Sequence, residues 1–145
     1  MPEQKTQNLR NHTKLDPIYH FFLSPVALIN VIVEVYAVIR RPSYSELWFL
    51  VLSIAFFLAI FRIRTYSLKV QDRVIRLEET MRMQQLLPAS QQSEIAQLRE
   101  GQFVALRFAP DEELPALVQQ TLTNNWKGKD IKGAIKNWRP DHFRV

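Results

Sequence analysis

Between Ile18 and Ile63 the chain carries two apolar runs separated only by Arg40-Arg41-Pro42-Ser43-Tyr44-Ser45-Glu46. The first, Ile18 to Ile39, has 22 residues, and at about 1.5 Å per residue it is long enough for a hydrocarbon core of about 30 Å. The second, Leu47 to Phe61, has 15 uncharged residues. It reaches a spanning length of about 20 residues when the helix takes in Tyr44 to Ile63. A helix lying on a water-facing core carries a polar stripe, which the first run lacks and the second almost entirely lacks. A cleaved signal peptide fits poorly too, because the run is long, carries Asn30 and Glu34, and has no small-x-small cleavage pattern. The expectation is an all-α integral membrane protein built on a two-helix transmembrane hairpin.

The flanks divide the rest of the chain. Residues 1–15 read as a polar, basic arm, 16–63 as the hairpin with spans at 18–39 and 44–63, 64–87 as an amphipathic juxtamembrane helix, and 88–145 as a small cytoplasmic set of short helices. Asp16-Pro17 is a helix start, since Asp caps orphan N–H groups and Pro at the first helical position loses no bond. Pro25 leaves the carbonyl near Phe21 without its usual partner and predicts a kink between Phe21 and Pro25. Pro42 stops the first helix, and Ser43 with Glu46 is a capping-box pattern for the second. So tight a turn makes the helices antiparallel neighbours. Lys5, Arg10 and Lys14 before the hairpin, with Arg62, Arg64, Lys69, Arg73 and Arg76 after it, outweigh Arg40 and Arg41 at its tip. The positive-inside rule then puts both termini in the cytoplasm, with the tip arginines snorkelling to outer headgroups.

Beyond Phe61 the pattern becomes one-sided. Ile63, Val70, Val74, Leu77 and Met81 follow helical or heptad-like spacing, with Arg73, Arg76, Glu78, Glu79 and Arg82 at the other positions. The stripe suits packing on the rest of the cytoplasmic part, or a short coiled coil. After a polar break at Pro88–Ser93, part of Ser93–Phe108 reads as helix, split at Gly101, although "FVALRF" alone also fits a strand. Asp111-Glu112-Glu113 reads as the cap and acidic first turn of a helix that ends at Asn124-Asn125. A last helix is expected from Lys129 to Trp138, stopped by Pro140.

Three segments, "NLRNHTKLDPIYHFFLSPV", "ALRFAPDEELPALV" and "IKGAIKNWRPDHFRV", resemble a family of small bacterial membrane proteins classed as a domain of unknown function. The resemblance covers nearly the whole chain. It implies a two-span bacterial protein with a helical tail, and it brings no activity, ligand or catalytic residue.

The residues themselves name no reaction. There is no cysteine, and the three glycines, Gly101, Gly128 and Gly133, form no G-x-G loop for a nucleotide. His12, His20 and His142 have no metal-ligand spacing, and the serines lack a convincing base and acid. No catalytic residue, metal or cofactor is expected. Glu34 is the sharpest candidate, since it lies about 8 Å in from the hairpin tip, where a lone carboxylate is costly. With Asn30 one turn earlier and Ser53 at a similar depth on the second span, it suits a proton or cation site. The alternative pairs Glu34 with Arg41 or with a neighbouring copy, and lets Asn30 bond across the hairpin. The net charge of +5 and the basic residues Lys129, Lys132, Lys136 and Arg139, interleaved with Trp126 and Trp138, suit anionic lipid headgroups. A nucleic-acid-binding helix pair is a weaker fit to the same residues. The chain is therefore expected to be a non-enzymatic bacterial inner-membrane anchor or scaffold, with a homo-oligomer or a membrane protein as partner.

Overall fold

The computed structural model describes residues 8–9 and 15–141, and among these all the regular structure is helical, with no strand. The arm's Lys5, Arg10, Lys14 and His12, and the tail's His142, Phe143 and Arg144, fall outside the described residues. A π-helical turn, Tyr19–Leu23, leads into α1 (Ser24–Arg40). There follow α2 (Tyr44–Leu86), a 3₁₀ segment (Ala89–Gln97), α3 (Glu100–Leu106), α4 (Leu114–Thr123) and α5 (Gly128–Ala134). The described residues form two compact units, 15–68 and 69–141 with 8–9.

In the first unit the local chemistry accounts for each boundary. Asp16 Oδ1 accepts the N–H groups of Ile18 and Tyr19 at 3.1 and 3.2 Å, as an N-cap does. Pro25 has no N–H to give, and the chain absorbs the deficit just upstream by widening one turn, so that the Ser24 N–H reaches the Tyr19 carbonyl. At the tip, Ser43 Oγ accepts the Glu46 N–H at 3.2 Å and opens α2. The two helices are each long and apolar enough to cross a membrane. Their apolar side chains point outward, and within 15–68 only Ala27 and Ser53 are buried.

The second unit has the opposite arrangement, with Met83, Phe103, Leu106, Phe108, Leu114 and Ile131 almost wholly removed from solvent. Ile75, Glu79 and Met83 of α2, with Leu87 just past its end, recur every four residues and are buried, Met83 and Leu87 within the core. The stripe Val70, Val74, Leu77 and Met81 is the other side of the helix and is exposed, so packing on the same chain's helical unit is not its role. Three further expectations are corrected. In "FVALRF" Phe103 to Leu106 are helical and Arg107 and Phe108 form a turn, and the strand-like look arises because Phe103, Ala105, Leu106, Arg107 and Phe108 are all buried, which erases the period. The break falls at the extended Leu98 and Arg99, leaving Gly101 inside the first turn of α3. The last helix ends at Ala134, because Ile135 turns extended and residues 136–137 are drawn to Glu113.

α4 ends as its sequence suggests. Asn125 adopts a left-handed φ of 51°, a conformation Asn tolerates better than most residues. The chain then closes with Asn125 N–H to Leu122 O at 3.3 Å and Trp126 N–H to Thr121 O at 3.0 Å. α3 and α5 cross closely at Gly128, where a Cβ would stand 3.3 Å from the Gly101 carbonyl oxygen.

Candidate functional site

Polar groups in the hairpin unit are few, and the structure separates them. Asn30 Nδ2 donates to Ser53 Oγ at 2.6 Å and ties α1 to α2. A bond of this kind between apolar helices satisfies two groups that hydrocarbon would leave stranded. Glu34 is half-buried, and it has neither a hydrogen bond nor an ion pair among the described residues. The pairing with Arg41 is not formed within the chain. Nearer the tip, Arg40 Nε donates to the Tyr36 hydroxyl at 3.0 Å and its guanidinium lies 5.5 Å from that ring's centroid. At the other end, Arg64 lies 5.6 Å from the Tyr19 ring. A largely apolar cavity of about 430 Å³ lies beneath the π turn, lined by Tyr19, His20, Pro25, Leu28, Phe57 and Phe61 among others.

The 69–141 unit holds a denser charged cluster, and the sequence analysis missed it. Glu79 is buried, with its carboxylate 2.9 Å from Arg82 and 3.5 Å from Arg139. Arg82 also reaches Asp111 Oδ1 at 2.5 Å and the Ala109 carbonyl at 2.8 Å. Asp111 is thus an ion-pair partner of α2, in place of the cap expected for α4. Arg107, buried against the Phe108 ring at 4.5 Å, pairs with Asp141 at 2.9 Å. Glu113 accepts the Lys136 and Asn137 N–H groups at 3.0 and 3.1 Å and the Asn137 side-chain amide at 3.0 Å. Together these bonds fasten residues 136–141 onto α2 and onto the segment between α3 and α4. A cleft of about 750 Å³ opens beside them. Nearby, burial and the neighbouring Glu100 carboxylate raise the Asp72 pKa above the usual carboxylate value, with Arg107 opposing.

The signal that could have found the cluster was a second face on α2. Glu79 and Arg82 are three residues apart and interleave with Ile75 and Met83, so they belong to a buried polar–apolar mixture rather than to a solvated flank.

The basic residues are dispersed. Lys129 and Lys136 are exposed, Lys132 stands 5.6 Å from the Phe108 ring centroid, and Arg139 turns to Glu79. Trp126 and Trp138 pack on the core, Trp138 against Phe108 at 5.1 Å. Their rings are therefore committed to folding this unit. Among the described residues no group of three His, Asp or Glu side chains is placed to hold a metal.

No curated protein and no solved structure matches the chain. A family model described as a family of unknown function, DUF6526, matches residues 1–145, and the chain belongs to that family.

Proposed function

We propose that the chain is a two-pass membrane anchor, non-enzymatic, that holds a small folded helical unit at the cytoplasmic face of a bacterial inner membrane as a scaffold or accessory subunit. The observation that carries this reading is the inverted burial of 15–68, where two antiparallel apolar helices bury only Ala27 and Ser53. Exposed apolar area of that extent is costly in water at about 25 cal/mol per Å², and is the ordinary state of helices in lipid. The Arg40–Tyr36 pair at the tip and the Arg64–Tyr19 pair at the opposite end suit the two headgroup zones. Within 69–141, the arginines of the buried cluster are matched by carboxylates.

Carbonate extraction with reporter fusions tests this. The protein stays in the pellet, reporters at both ends are active only in the cytoplasm, and a reporter inserted at Pro42–Ser43 is active only outside. Release into the carbonate supernatant, or a cytoplasmic tip, overturns the reading. Purification in mild detergent, with mass spectrometry of co-eluting proteins, then identifies the subunit it serves.

A second reading has its own observation, the unpaired Glu34 in the apolar hairpin. Under it the chain is a small proton- or cation-conducting component. Glu34→Gln abolishes ion flux in proteoliposomes if this holds, and an unchanged flux removes it.

A further inference from the structure

On the side of α2 away from Ile75, Glu79 and Met83, the apolar residues Val70, Val74, Leu77 and Met81 are exposed, Val70 and Leu77 by 63% and 62%. Their spacing of four, three and four residues is the d-a-d-a seam of a two-stranded coiled coil. We propose that this seam is the contact between two copies of the chain, paired in parallel.

Charge selects the partner and its direction. With Val74 and Met81 at a, and Val70 and Leu77 at d, Arg73 falls at g and Glu78 at the following e. Those two positions face each other across a parallel pair, and two-fold symmetry makes the contact twice. Neither residue has an ion pair within the chain among the described residues. Gln71, Thr80 and Gln85, the other flanking residues of this stretch, are uncharged, so like charges are nowhere opposed. An antiparallel alignment sets g against g and e against e and forfeits the Arg73–Glu78 contact. The parallel direction rests on the membrane-anchor reading: α2 is unbroken from Tyr44 to Leu86, so two copies inserted the same way enter the seam from the same end. Confinement to one bilayer also supplies the effective concentration that so short a seam requires.

The chain has no cysteine, which makes single-cysteine cross-linking of the full-length protein in native membranes a direct test. V70C, V74C, L77C and M81C are each expected to form a disulfide-linked self-dimer on mild oxidation, several-fold above K69C, whose position is exposed but off the seam. In the V74C background, R73E and E78R each lower the dimer yield several-fold, and the double variant R73E/E78R restores it. Yields no higher than K69C at all four seam positions overturn the proposal. Linking confined to V74C and L77C, which marks an antiparallel pair, does so as well, as does linkage to a different protein. Carbonate extraction of the same membranes is an independent readout. Release of the protein refutes the anchor reading, and the cross-linking pattern still judges the seam.

Discussion

Glu79 has a side chain only 7% exposed and is held by two arginines at 2.9 and 3.5 Å. Removing one partner from a buried pair strands the other charge, at about 3–5 kcal/mol. Arg82→Met is therefore expected to destabilise the 69–141 unit by about 3 kcal/mol, and Glu79→Leu with Arg82→Met to recover a large part of that loss. Denaturation of the detergent-solubilised protein, followed by the fluorescence of Trp126 and Trp138, measures both. At Asp72 the expected effect depends on pH. A carboxyl whose folded pKa lies above its unfolded value contributes stability that is complete below the unfolded pKa, and loses it as pH rises through the folded pKa. Asp72→Asn should accordingly stabilise the unit at neutral pH, with the advantage shrinking as the solution is acidified towards the usual carboxylate range. Equal gains at neutral and acidic pH would assign the effect to something other than ionisation.

The elements legible in the sequence were those with one dominant local signal. Asp16-Pro17 opens the first helix, Ser43 opens α2, and Asn124-Asn125 closes α4, because capping and left-handed turns depend on a few adjacent residues. The illegible parts depended on contacts distant in sequence. Arg107 and Phe108 share burial with their apolar neighbours in α3, and the end of α5 is decided by Glu113, some twenty residues earlier. The same limit applied to the candidate sites. Asn30 and Ser53 were identifiable from depth in an apolar run, whereas the Glu79 cluster required knowing which side of α2 meets the core. The α3–α5 crossing offers a test at this scale. Gly128→Val places branched carbons where even a Cβ meets the Gly101 carbonyl at 3.3 Å, and should destabilise the unit by about 1–3 kcal/mol through overpacking. An unchanged denaturation midpoint would mean that the two helices separate freely.

At the scale of the molecule, one sequence joins two units with opposite burial patterns. Residues 15–68 keep their apolar side chains outside, and residues 69–141 keep most of theirs inside, the stripe Val70, Val74, Leu77 and Met81 apart. A fragment comprising residues 69–145 is therefore expected to be soluble without detergent and to melt cooperatively, with the modest stability of a core this size. A featureless thermal transition by circular dichroism would show that the core needs the rest of the chain.

The fastening of residues 136–141 to Glu79, Arg107, Phe108 and Glu113 also imposes an order on biosynthesis. The last helix and the strap that holds it leave the ribosome after the rest of the helical unit, so that unit cannot close until they have emerged. By then both apolar helices have already emerged. Under the anchor reading, the hairpin meets the insertion machinery while the domain behind it is still open, and folding of the second unit follows delivery of the first.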